Sequence, residues 1–292
     1  MARTGPQKYP GAVLDLFFGN GRYSGSDMEV NCGCIHTTEG PTLYDYNDGA
    51  SAPTITSVPD FKNKRLVHHQ HFDIDESARA LVNKPGGVQT NTANVFQWEL
   101  VGTCDPATSK KWTAQGIQHI YWPNPPDWAI REVAAVMQWL HKNHGVPLTG
   151  RPEWRAYPAS YGATSVRMSF AEWTKFTGWC GHQHVPENDH GDPGALPFAR
   201  ILAVAKGQTT PTPAPEEDDV ALTDAEIKKV AAAAAEAVWA KALSSPTAEP
   251  GTSPLRQAGT FLRWGDQHTA DIRADIAELS AQVAALEARL TD

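Results

Sequence analysis

Short apolar runs with the alternation typical of β-strands recur through the first part of the chain. They predict three strands, over residues 30–37, 65–73 and 94–101. The first run leads to His36, and the third stops at Gly102. In the first strand Cys32, Cys34 and His36 alternate, so their side chains share one face. A histidine at the end of a strand is a rigid platform from which a ligand atom can be presented.

Helical spacing follows the third strand. A stripe of apolar residues predicts a helix from residue 128 to about 144. The stripe consists of Ile130, Val133, Met137 and Leu140. Asp127 is placed to cap the helix and Gly145 to end it, and a shorter helix is expected to begin near Ser169. Strands and helices mixed within about 200 residues indicate an α/β domain.

The composition changes after residue 207. Residues 208–219 contain alternating prolines followed by four acids, which cannot form a core and are typical of a stiff, extended linker. We therefore expect a folded domain over residues 1–207, the linker over 208–219, and a C-terminal α-helical region over 220–292.

The C-terminal region carries a short heptad repeat. A capping box of Thr223 and Glu226 predicts a helix to about Leu243, and Ser, Pro and Gly interrupt it over residues 244–254. Further apolar residues then follow at alternating intervals of four and three: Ile272, Ile276, Leu279, Val283, Leu286 and Leu290. This short seam fits either a helical hairpin folded onto the preceding helix or a homo-oligomer formed through the C-terminal helix.

Charge and composition exclude several classes of partner. Of the net charge of −8, residues 216–292 supply 14 acids and 7 bases, whereas residues 1–215 contain 19 acids and 18 bases. The first part lacks a basic surface, so we expect no nucleic-acid partner. No signal peptide and no stretch near the ~20 apolar residues of a membrane span are present, so we expect cytosolic synthesis without membrane insertion. Four cysteines are too few for a disulfide framework in 292 residues.

The segment over residues 181–194 holds the main candidate chemistry. It combines three histidines and several carboxylates with turn-forming prolines and glycines. His182 and Asp192 stand ten residues apart in this loop, so the chain can fold back and direct both side chains at one ion. A catalytic zinc needs three protein ligands plus water. The loop therefore predicts a hydrolytic metal site whose third ligand comes from elsewhere.

Other histidines and thiols fit a ligand role less well. In the second predicted strand His69 and His71 share one face and His68 points to the other, so the three cannot bind one ion. We expect His71 to line a groove or pack in the core, and the other two to be exposed. Cys34 and Cys180 are expected to be buried thiols beneath the site.

Three motifs, taken in order, resemble the zinc-dependent N-acetylmuramoyl-L-alanine amidases of the peptidoglycan recognition protein superfamily. They are Cys34-Ile-His36-Thr-Thr-Glu-Gly40, Phe96-Gln-Trp-Glu99-Leu-Val-Gly102, and Gly181-His182 followed by His190-Gly-Asp192-Pro-Gly194. The resemblance covers roughly residues 25–205, and the tract over residues 77–91 is most similar to endolysins of phages that infect actinobacteria. It implies a central mixed β-sheet flanked by helices.

The resemblance also implies a role for each matching residue. His36, His182 and Asp192 would bind Zn²⁺, and Glu99 would act as the general base. His190 stands where the family often has a lysine that stabilises the oxyanion, and the charge of a histidine, unlike that of lysine, depends on pH near neutrality. His71 and Trp179 are expected to line a shaped groove and to contact the substrate there.

The implied activity is hydrolysis of the amide bond between N-acetylmuramic acid and L-alanine in bacterial peptidoglycan. Such a phage endolysin would wait in the host cytoplasm and reach the cell wall through a holin-type pore, with the C-terminal region promoting oligomerisation or wall association. Two alternatives remain open: a non-catalytic peptidoglycan-binding module, and a zinc peptidase that cuts the cross-links. The three ligand candidates with Glu99 argue against the first, and the cleavage products would decide the second.

Overall fold

The computed structural model describes residues 3–19, 21–23, 25–208, 242–244, 255–257 and 278–284. The chain divides into two compact units, Met1–Thr210 and Pro211–Asp292. This boundary falls within the predicted linker 208–219, most of which lies outside the described residues. Within the described ranges, no helix has both the length and the apolar character that crossing a membrane requires.

A five-stranded mixed β-sheet lies at the centre of the first unit. Its strands are β1 (Cys32–Thr37), β2 (Ile55–Asp60), β3 (Arg65–Gln70), β4 (Val95–Leu100) and β5 (Gly178–Gly181). Their order across the sheet is β3-β2-β4-β1-β5. The pairs β2–β4, β4–β1 and β1–β5 are parallel, and β3 runs antiparallel to β2. The carboxyl ends of four strands therefore meet at one edge of the sheet.

Helices flank the sheet, and apolar clusters pack on both of its faces. They are α1 (Pro106–Ala114), α2 (Asp127–His144), α3 (Phe170–Lys175) and α4 (Phe198–Ala205). The predicted apolar stripe of α2 is buried in the larger cluster, with Ile35, Trp98 and Trp179 from the sheet. Cys34 and Cys180 point to the other face and join Trp173 of α3 in the second cluster, because side chains alternate along a strand. The predicted α/β fold, with a central mixed sheet flanked by helices, is confirmed.

Two predicted helix boundaries are confirmed and one is wrong. Gly145 ends α2 in a left-handed conformation with φ of 70°, and Ser169 caps α3 through a capping box with Glu172. Asp127, however, is the first residue of α2 and does not cap it, since Pro126 occupies the cap position. The Asp127 carboxylate lies instead in the first helical turn, where the helix dipole favours negative charge, and accepts a hydrogen bond from Arg200 at 2.6 Å.

The second unit contains strand as well as helix. Strands β6 (Ala242–Ser244) and β7 (Leu255–Gln257) pair antiparallel, and residues 278–284 are helical. The expectation of helix up to about Leu243 is therefore wrong at its last two residues, because local helix propensity is a weak guide where backbone pairing is available. The capping box at Thr223 and most of the heptad seam lie outside the described residues.

Removal of residues 216–292 should leave the first unit folded, because its sheet and its apolar clusters lie within Met1–Thr210. Leu279 and Val283, two seam residues, are 49% and 45% exposed, so we expect the full chain to self-associate and the truncated chain to sediment as a monomer. Leu279→Glu should reduce the association, whereas Ser280→Glu, which adds the same charge beside the seam, should not. Equal sedimentation of all forms would contradict assembly through this seam.

The buried histidines of β3 and its extension predict a loss of stability in acid. The expectation that His68 is exposed is wrong, since it is only 8% exposed. Its ring nitrogen lies 2.8 Å from the Ser57 hydroxyl on β2, so the buried imidazole has a hydrogen-bond partner. His71 is 0% exposed. Burial lowers the pKa of each from 6.5 to about 4. The unfolded chain therefore binds more protons than the folded chain between about pH 4 and pH 6.5.

The stabilisation that the two neutral imidazoles contribute is complete above about pH 6.5 and is lost as the pH falls toward 4. Each should reduce the free energy of unfolding by up to about 1.4 kcal/mol per pH unit in this window. Urea denaturation at pH 7 and pH 5 measures the loss, and His68→Gln should make it smaller. An identical loss in the variant would show that His68 does not contribute.

Candidate metal centre

The carboxyl edge of the parallel strands brings polar side chains from three strands together. His36 and Thr37 end β1, and in the β1–β4 register His36 lies opposite Glu99. On the other side of β1, strand β5 ends at Gly181 and leads directly to His182. Sites in α/β proteins typically form outside the carboxyl ends of such strands. The register therefore places both histidines and the glutamate at one position in the fold.

Three buried side chains converge there. The ligand atoms of His36, His182 and Asp192 all lie within 4.8 Å of one another. The two Nδ1 atoms of the histidines are 3.0 Å apart. From Asp192, Oδ2 lies 3.6 Å from His36 Nδ1, and Oδ1 lies 3.2 Å from His182 Nδ1. The residues predicted as metal ligands are thus brought together in an arrangement that could hold a metal ion.

The environment keeps His36 and Asp192 in the protonation states that bind cations. Burial, together with the neighbouring His182, lowers the pKa of His36 from 6.5 to about 3, so its imidazole is neutral at neutral pH. Burial alone would raise the pKa of Asp192, but the adjacent His182 and His36 lower it below the ordinary value of 3.8. A neutral imidazole and an ionised carboxylate are the forms that coordinate metals.

Gln183 closes the loop that joins His182 to Asp192. Its backbone N–H donates to the Asp192 carbonyl at 3.2 Å, and its side-chain amide donates to the Gly194 carbonyl at 2.7 Å. Its side-chain oxygen accepts the Arg155 N–H at 2.8 Å. The Thr37 N–H donates to Asp192 Oδ2 at 3.1 Å. These bonds connect both ends of the loop to each other and to β1.

Arg167 holds the same loop from outside. Its guanidinium donates to four backbone carbonyls at 2.6 to 3.1 Å, those of Gly162, His182, Val185 and His190. Sequence reasoning missed both Arg167 and Gln183. Backbone carbonyls carry no residue-specific signal, so no motif in the sequence could mark the partners of Arg167.

Glu99 lies beside the three converging groups and is only 13% exposed. Its Oε1 is 4.0 Å from His36 Nδ1, and its Oε2 has no hydrogen-bond partner among the described residues. Burial and the negative charges of Asp192 and Glu39 raise the pKa of Glu99 well above 4.5. A carboxylate in this environment has a strong tendency to take up a proton.

His190 lies at the solvent side of the site. Its ring stacks on that of His182, with centroids 5.0 Å apart, and its Nδ1 is 3.8 Å from Asp192 Oδ1. The side chain is 70% exposed. It can therefore reach a molecule that approaches the site from solvent, whereas His36 and His182 are covered.

The two predicted substrate contacts are both buried. Trp179 is 0% exposed and packs against Phe96 and Trp98 in the core, so a substrate contact by Trp179 is not supported. Strand alternation explains why Trp179 is buried in the core: it lies on the face of β5 that packs against α2, whereas its neighbour Cys180 lies on the opposite face. His71 packs in the interior, with Nε2 2.9 Å from the Thr56 hydroxyl, as one of its two predicted placements required.

Comparison with known proteins adds no family to this description. A scan of the chain against protein-family models finds no matching model, and a search of curated proteins finds no match. What the chain can do is therefore inferred from the geometry of the site and the motifs in the sequence.

Asp192→Ala should abolish metal binding, because it removes one of three donors and leaves two facing imidazoles. We expect the metal content of the purified protein to fall from about one ion per chain to near zero. Asp189→Ala is a matched control, since it removes an exposed carboxylate from the same loop. Retention of full metal content by Asp192→Ala would remove this side chain from the ligand set.

Proposed function

We propose that the chain is a zinc-dependent N-acetylmuramoyl-L-alanine amidase of the phage endolysin type. The substrate would be bacterial peptidoglycan, cut between N-acetylmuramic acid and L-alanine. The observation that carries the proposal is the convergence of His36, His182 and Asp192 beside the buried carboxyl group of Glu99. A metal site with an adjacent proton acceptor is the minimum set of groups for metal-assisted hydrolysis of an amide.

The donor set and its dimensions fit zinc. Two imidazoles and one carboxylate leave a fourth position for water, as in catalytic zinc sites. Tetrahedral bonds of about 2.0–2.1 Å place neighbouring ligand atoms about 3.3 Å apart. The separations here are 3.0, 3.2 and 3.6 Å. Ferrous oxygenases use a similar donor set, and the neighbouring Glu99 favours hydrolysis over that alternative.

Each group has a separate task in the proposed reaction. Zinc held by His36, His182 and Asp192 would supply Lewis acidity, which lowers the pKa of a bound water to about 7 and polarises a carbonyl. Glu99 accepts a proton from the attacking water and passes it to the leaving amine. Burial and nearby negative charge raise the pKa of Glu99, which strengthens it as a proton acceptor. His190, exposed beside Asp192, donates to the oxyanion of the tetrahedral intermediate.

The substrate class and the biological setting rest on the resemblance of the motifs. The near-neutral charge of residues 1–215 offers no general attraction to an anionic wall, so recognition would depend on shape and hydrogen bonding around the site. On this proposal the enzyme accumulates in the host cytoplasm and reaches the wall through a holin-type pore. The C-terminal unit contributes association with the wall or with further copies of the chain.

Purified cell walls test the activity directly. We expect the full chain to release intact stem peptides with free L-alanine N-termini, and a chelator to abolish the release until zinc is restored. Mass analysis of the fragments separates an amidase from a peptidase, which would cut within the cross-links. Binding to walls without cleavage by the zinc-loaded protein would favour a recognition module and refute the amidase.

Glu99→Gln belongs to the same experiment. It preserves the shape of the side chain but removes its ability to accept a proton, so we expect a loss of about 10²–10⁴ in rate with unchanged metal content. Glu153→Gln alters an exposed carboxylate paired with Arg155 and should leave the rate unchanged. An active Glu99→Gln would mean that another group is the base.

A further inference from the structure

Asn188 contacts the metal centre but matches no motif in the sequence. It is 2% exposed, and its side-chain oxygen lies 2.9 Å from Nε2 of His182, on the opposite side of the ring from Asp192. We propose that Asn188 is a positioning residue that holds His182 in the tautomer able to bind the metal. The proposal rests on the zinc site described above.

The orientation of the Asn188 amide follows from its other partners. Its Oδ1 accepts the backbone N–H of Val82 at 3.1 Å, and its Nδ2 donates to the carbonyl of Pro186 at 2.9 Å. A backbone N–H can only donate and a carbonyl can only accept. A flipped amide would break both bonds, so the atom that faces His182 is an oxygen.

An oxygen at that position decides which nitrogen of His182 carries the proton. Because the amide oxygen only accepts, His182 Nε2 donates to it, and in the neutral ring Nδ1 is then unprotonated. Nδ1 is the atom that faces His36 Nδ1 and Asp192 Oδ1. Nδ1 is therefore the nitrogen of His182 whose lone pair can be presented to the metal.

The two histidine ligands differ in whether a hydrogen bond at Nε2 fixes the tautomer. His36 Nε2 is buried and has no hydrogen-bond partner among the described residues, so no equivalent bond fixes its tautomer. The support for His182 comes from a distant part of the chain, since Asn188 and Val82 are 106 residues apart. Glu187, next to Asn188, makes a second bond to the segment that contains Val82, because its carboxylate accepts the Val88 N–H at 3.0 Å.

The tautomer can be measured without metal or activity. In the metal-free full chain labelled with ¹⁵N-histidine, we expect His182 to carry its proton on Nε2. The signal is assigned by its absence in His182→Gln. A ring protonated on Nδ1 alone in the wild-type protein overturns the proposal even if the enzyme cleaves walls. An Nε2-protonated ring supports it even if the wall assay fails, so the two proposals fail separately.

Metal affinity supplies the second readout. Asn188→Ala should weaken zinc binding about 10–100-fold, the usual effect of removing a group that orients a ligand. Asn83→Ala is the matched control, because Asn83 accepts the Thr90 N–H at 2.7 Å within the same distant segment but does not contact a metal ligand. Unchanged affinity in Asn188→Ala, or an equal loss in Asn83→Ala, would contradict a direct role for Asn188.

Discussion

The parallel register of β1 with β4 and β5 is the constraint on which the rest of the site depends. It sets His36 opposite Glu99 on one side and Cys34 opposite Cys180 on the other, two residues before His182. A shift of β1 by one residue would turn Ile35 toward the site and His36 into the apolar layer beneath α2. The packing of Trp98, Trp179 and the α2 stripe on that layer therefore also fixes the position of the metal ligands.

The loop after β5 carries a different kind of constraint. Its backbone is irregular and largely buried, and an unpaired polar group in such a position is costly. Gln183, Arg167 and Asn188 satisfy the loop with hydrogen bonds to partners that include the loop itself and the segment near Val82. The Thr37 N–H of β1 adds a bond to the Asp192 carboxylate. The same bonds orient His182 and Asp192. The same set of interactions therefore stabilises the loop and positions the ligands. A bound cation would relieve the close approach of the two imidazoles.

Regular elements with strong periodicity were predictable, and short ones were not. The α2 stripe and its glycine end, the start of α3 near Ser169 and three strands were recognised from the sequence. Strands β2 and β5 and the helices α1 and α4 were missed. They are four to nine residues long, and a segment this short spans too few periods for its spacing to identify it.

The sequence by itself determined the residue types of the site and their order: a strand-end histidine, a buried glutamate, and a turn-rich loop with a histidine and an aspartate ten positions apart. Only the tertiary structure decided that these side chains converge, that Trp179 faces the core, and that Asn188 and Arg167 support the loop. The physical reason is the distance along the chain over which each interaction acts. Local spacing sets which face of an element a side chain occupies, whereas the partner of a buried polar group is chosen by how separate elements pack, and that choice links positions more than 100 residues apart.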